Sequence, residues 1–254
     1  MLIKPTEAVD IDTPSGKMRT HLFRPAREGS YSAIILYSEI YQMTAPIERL
    51  AAMIAGHGMI VAVPEVYHEY EAPGTVLSYD QAGTDRGNEL KYEKPVAQHD
   101  SDLAALISVL REDAQCNGRF GAFGVCLGGH LSFRAALNPA IEASVCFYAT
   151  DLHTATLGAG RSDDSLRRAA EIKGEVMMVW GLHDPHVPYD GRRLIRDQLE
   201  KARLRLSWHE VDGQHAFLRD GAPRFDATLF LWGMSQSVAL YQRHFSLERP
   251  LHVG

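Results

Sequence analysis

Gly124-Val125-Cys126-Leu127-Gly128-Gly129 is the stretch on which the reading of this chain turns. It joins an apolar run, residues 119–123, to an amphipathic stretch, residues 127–137, that stops at Asn138-Pro139. A short apolar run reads as a strand buried on both faces, and the residue before a proline is pushed out of helical geometry. The backbone must therefore turn from strand to helix within a few residues, and glycines two positions either side of Cys126 permit that. The same alternation extends outward. Residues 17–23, 33–37 and 59–63 read as strands, and 46–56 as a helix with Ile47, Leu50, Ala51 and Ile54 on one face. Residues 96–112, 189–202 and 224–244 read as further helices, and 143–148, 176–180 and 205–211 as further strands. Two stretches stand apart: 65–95 reads as a long polar loop and 151–168 as a polar insertion. The expected architecture is a single α/β domain over 1–254. Its central sheet is mainly parallel, with helices on both faces and ligands bound at the carboxyl ends of the strands.

Composition narrows the function. The 254 residues carry 26 Lys and Arg against 32 Asp and Glu, a formal charge of −6. A net negative chain is a poor partner for nucleic acid, and 45% hydrophobic content is too high for a disordered one. No run of 18 apolar residues is present, so no membrane partner is expected. The first residues lack the apolar core of a signal peptide, and three cysteines make no disulfide framework. The expectation is a cytoplasmic protein with free thiols, monomeric because no long apolar surface helix stands out.

Cys126 sits where a tight strand-to-helix turn exposes a nucleophile, at a helix N-terminus whose free N–H groups favour a thiolate. The N–H of Leu127 would then face a developing oxyanion. The bland alternative is a small buried cysteine in a glycine-rich turn; Cys116, in a helix-to-strand connection, and Cys146, inside a strand, are read as ordinary structural cysteines. A nucleophile of this kind needs an acid and a histidine later in the chain. Asp184 follows the strand at 176–180 and His215 follows the strand at 205–211. Alone, each could be an ordinary loop residue. Together they have the right types, order and placement. The group His183, Asp184 and His186 has no recognised zinc spacing, so no metal and no cofactor is expected.

With Gly-x-Cys-x-Gly-Gly, Asp184 and His215 in place, the chain resembles the dienelactone hydrolase family over roughly residues 17–244. The resemblance implies an α/β-hydrolase fold and a Cys-His-Asp triad that cleaves an ester or lactone. It implies that Glu39, directly after the strand at 33–37, contacts the resting cysteine and helps activate it, with the Ile40 N–H as second oxyanion donor. It further implies two arginines that clamp a substrate carboxylate. Arg219, four residues after His215, matches one, and Arg86 is the nearest candidate for the other. Tyr148, at the end of its strand, is a candidate pocket residue. Ala216 and Tyr41 depart from the family pattern, which bears on the substrate rather than the reaction. The expected partner is a small anionic ester or lactone of the dienelactone type. The alternatives are a general carboxylesterase or thioesterase on the same triad, and a redox-sensing or ligand-binding α/β protein whose Cys126 is oxidised.

Overall fold

Strand propensity and burial place eight strands in one sheet in the computed structural model, which describes residues 1–245. The strands are β1 (Glu7–Thr13), β2 (Gly16–Phe23), β3 (Tyr31–Tyr37), β4 (Ile60–Pro64), β5 (Cys116–Val125), β6 (Ile141–Phe147), β7 (Glu175–Gly181) and β8 (Arg205–Val211). Their spatial order is β1-β2-β4-β3-β5-β6-β7-β8. Only the β1–β2 and β2–β4 pairs are antiparallel, so the sheet is mainly parallel, as expected. The six helices are α1 (Ala45–Gly56), α2 (Gln81–Glu93), α3 (Val96–Glu112), α4 (Leu127–Ala135), α5 (Tyr189–Lys201) and α6 (Ala227–Phe245).

Helices cover both faces. On one, Leu50 and Ile54 of α1 and Met234 and Tyr241 of α6 pack over Ile34, Val61 and Phe123. On the other, Leu103, Leu106 and Ile107 of α3 and Leu131 of α4 pack over Ile35, Ala62 and Ala122, while Ile195 and Leu199 of α5 join Met178 and Trp180. Strands with residues of this kind on both sides bury nearly all of their length, which is why β3, β4 and β7 read as continuous apolar runs.

Three expectations need correction. β1 was not anticipated, because a partly exposed edge strand offers only Val9 and Ile11 as apolar marks. Cys116 opens β5 rather than lying in the connection before it. The stretch expected to be a loop over 65–95 contains α2, whose buried side is Gly83, Gly87, Leu90 and Lys91 instead of an apolar stripe. Its start is nevertheless chemically marked, since the Asp80 carboxylate accepts from the Gly83 N–H as an N-cap.

The segment after β4 is pinned by Lys94, whose side chain is fully buried. Its ammonium donates to the Val66 carbonyl at 2.8 Å and lies 2.5 Å from Asp102 and 2.7 Å from Glu69. His68, Glu69 and Asp102 are close enough to suggest a cation site, but the Lys94 ammonium already supplies the cation they surround. Removing one partner of such a group strands the others. Lys94→Met should therefore cost about 3–5 kcal/mol in urea unfolding, and a loss under 1 kcal/mol would show that the network carries little stability.

Candidate active site

The carboxyl ends of β3, β5, β6, β7 and β8 converge on one pocket of about 630 Å³. Cys126 sits in its wall with φ 59° and ψ −122°, a backbone strained for any residue with a side chain. Crowding explains why its neighbours are glycines. A Cβ on Gly124 would stand 1.8 Å from the Gly128 oxygen, and one on Gly128 would stand 2.0 Å from the Tyr37 oxygen. Strand β5, helix α4 and the end of β3 thus meet backbone to backbone beneath the cysteine.

His215 lies in the loop after β8 and Asp184 in the loop after β7. Both are buried, and Nδ1 of His215 is 2.7 Å from Oδ2 of Asp184. The other oxygen of Asp184 accepts the His186 N–H at 2.8 Å, which fixes the carboxylate. Burial alone would lower the pKa of His215. The charge of and hydrogen bonding to Cys126 and Asp184 outweigh it and raise the value to about 10. Asp184 is held below its ordinary value: burial opposes this, but the hydrogen bonds and charge of His215, with the His186 N–H, prevail. Tyr148 and His186 pack edge-on to the His215 ring at centroid distances of 5.0 and 4.5 Å, which sets its plane.

Two backbone N–H groups beside Glu39 and Cys126 lack backbone acceptors among the described residues. Leu127 is the first residue of α4, so its N–H has no intrahelical acceptor. Ile40 lies in the turn after β3, and among the described residues its N–H also has no acceptor. Gly87 of α2 is packed on this turn so closely that a Cβ there would meet the Ile40 oxygen at 2.7 Å. The unanticipated helix is therefore a support of the site.

Glu39 is buried in the pocket wall, but not hydrogen-bonded to the cysteine as expected. Its Oε2 accepts from the Tyr79 hydroxyl at 3.2 Å and lies 3.6 Å from Nη1 of Arg219. Burial pushes its pKa up, against the pull of Arg219, His215 and Tyr79. Arg219 lines the pocket as expected, with its guanidinium 4.4 Å from the Tyr79 ring centre and 6.0 Å from that of Tyr41.

Arg86 does not reach the pocket. It is tied at 2.7 Å to both Glu71 and Glu89, because the α2 face that carries it points away from the site. Tyr148 is fully buried behind His215 rather than in the main pocket, which makes it a supporting side chain. Several pocket residues went unnoticed in the sequence. Asn88, Lys91 and Tyr92 come from α2, Asp151 and His153 from the insertion, and Arg224 from before α6. Lys91 is 2.9 Å from Asp151, to which Tyr92 also donates at 3.0 Å. Asp151 follows the end of β6, so its place at a strand's carboxyl end was a usable signal. The α2 residues had none, since that helix was not foreseen. His183 and His186 hold no common site with Asp184: His183 pairs with Asp212 at 2.7 Å, while His186 faces His215.

Comparison with known proteins bears on the family and the fold. Residues 18–237 match the profile of the dienelactone hydrolase family. A Saccharomyces cerevisiae protein named "Putative carboxymethylenebutenolidase" is 39% identical over 232 residues, covering 87% of this chain and 85% of that protein. The carboxymethylenebutenolidase of Pseudomonas putida is 25% identical over 225 residues, covering 88% and 90% respectively. A solved Klebsiella pneumoniae structure titled "Putative Dienelactone Hydrolase" shares the fold with a TM-score of 0.83 at 21% identity, covering 96% of this chain and all of that one. The chain belongs to the dienelactone hydrolase family.

Proposed function

We propose that this hydrolase cleaves an ester or lactone of the dienelactone type through a thioester formed on Cys126. The observation that carries the reading is His215, held by Asp184 at 2.7 Å on one ring nitrogen, in a pocket wall it shares with Cys126. A histidine so oriented can take the cysteine's proton and generate the attacking thiolate. The thiolate attacks the carbonyl carbon, and the Ile40 and Leu127 N–H groups stabilise the resulting oxyanion. His215 gives its proton to the departing oxygen. The regenerated base then takes a proton from water, which attacks the thioester and frees Cys126. Asp184 keeps the ring oriented in both steps.

The raised His215 value sets the pH dependence. Its proton is held well above the ordinary histidine range and is lost as pH rises through about 10. Because the folded value is raised, the stability this proton contributes is fully present below about 6.5 and declines through the same window. Turnover should accordingly fall above about pH 10, together with stability. A flat profile to higher pH would contradict the proton-donor role.

An anionic substrate is supported by Arg219, whose guanidinium shares the pocket with the triad. It is already paired with Glu39, so an incoming carboxylate competes with an internal one. Arg86, bound elsewhere, offers no second arm of a clamp. That fact and the size of the pocket favour a second reading, a carboxylesterase or thioesterase of broader scope. Pockets of about 300–1,000 Å³ take drug-sized ligands.

Cys126→Ala should lower kcat by at least ~10³-fold, because members of a triad act as a unit. Turnover equal to wild type would end the mechanism. Arg219→Ala should raise KM for cis-dienelactone by ~10-fold or more and leave that for 4-nitrophenyl acetate within ~3-fold, since only the former carries a carboxylate. Equal effects on both substrates would favour the broader esterase.

A further inference from the structure

Behind the nucleophile lies a second histidine–aspartate pair that the reaction above does not use. His130, one turn into α4, and Asp163, in the insertion after β6, both have fully buried side chains. Nδ1 of His130 is 2.8 Å from the Thr150 carbonyl oxygen, and Nε2 is 3.1 Å from Oδ2 of Asp163. A carbonyl oxygen can only accept. The other oxygen of Asp163 receives the Ser165 N–H at 3.2 Å and hydroxyl at 2.5 Å, with Arg134 at 3.5 Å. Burial opposes it, but His130 and Ser165 lower the pKa of Asp163 to about 2. Both ring nitrogens of His130 are therefore engaged, one by a carbonyl and the other by a carboxylate.

The Thr150 peptide is held at both ends by the nucleophile's own helix. Its N–H donates to the Cys126 carbonyl at 3.3 Å, and its carbonyl receives the His130 ring. The next residue, Asp151, has φ 61° and anchors Lys91 and Tyr92 in the pocket wall. The strained Cys126 peptide is thus braced from the insertion side through one buried ring.

We propose that His130 is a positioning residue, a buried ring that holds the Thr150 carbonyl, keeps the Thr150 N–H on the Cys126 carbonyl and so aims the Leu127 N–H for acyl transfer. This role rests on Cys126 being the nucleophile. Acyl transfer needs the oxyanion donor, but alkylation of Cys126 by iodoacetamide forms no oxyanion. The two reactions therefore separate a misaimed donor from general damage.

His130→Leu is expected to lower kcat on 4-nitrophenyl acetate by ~10-fold or more with KM little changed, and to leave the alkylation rate within ~2-fold, the signature of an interaction made in the transition state. Asp163→Asn should loosen the hold on Nε2 yet keep Nδ1 on Thr150, so its kcat should lie between those of wild type and His130→Leu. An unchanged kcat in His130→Leu would overturn the proposal, as would equal losses of alkylation and acyl transfer. Should His130→Leu fail to fold, the same two rates in His130→Gln and Asp163→Asn decide. Normal turnover by Cys126→Ala would instead sink the nucleophile reading itself, which separates the two failures.

Discussion

The strained peptide at Cys126 is supported by contacts from every direction, and the rest of the molecule is arranged around keeping it. A non-glycine residue at φ 59° and ψ −122° costs of order 1–3 kcal/mol. It persists because β5 enters the turn bonded to β3 and β6 on either side, and because α4 begins at once and buries all nine of its residues. The Cys126 N–H donates to the Phe147 carbonyl at 3.1 Å, and its carbonyl receives the Thr150 N–H, so neighbouring β6 and its following loop hold the peptide at both ends. The glycines at 124, 128 and 129 are the steric condition for this convergence. Each faces a backbone oxygen that a methyl group would strike.

This explains what the sequence disclosed and what it concealed. Buried parallel strands need apolar side chains on both faces, so β3, β4 and β7 were plain from composition alone. The Asp184–His215 pair was legible because strand ends are local features: each residue follows a readable strand. The helix α2 was not, because what it buries is glycine backbone and a paired lysine. Hydrophobic periodicity is blind to a face selected for close approach and for charge pairing. The same blindness misassigned Arg86. It stands on the unforeseen helix, where Glu71 and Glu89 claim it, and no pattern in the sequence states a helix's rotation. Glu39 lies in the pocket wall, but its partner could not be read, because Tyr79 comes from the stretch before α2.

The pocket's electrostatics follow from pairing rather than from net charge. Glu39 with Arg219, Lys91 with Asp151, and Asp184 with His215 place three acid–base pairs around one cavity. Isolated charges at such burial would be expensive, and pairing offsets that cost while leaving oriented dipoles in the wall. A site of this kind is preorganised, and it discriminates by exchange. A substrate group gains only what exceeds the internal partner it displaces. For Arg219 that partner is Glu39, whose own environment resists ionisation through burial. An anion that takes Arg219 leaves Glu39 with Tyr79 alone among these contacts, and removes one of the influences that lower its pKa against burial. Occupancy of the arginine and protonation of Glu39 are then coupled by linkage: the tighter the anion is held, the more readily Glu39 takes up a proton. That proton would come to rest in the wall that Glu39 shares with Cys126 and His215.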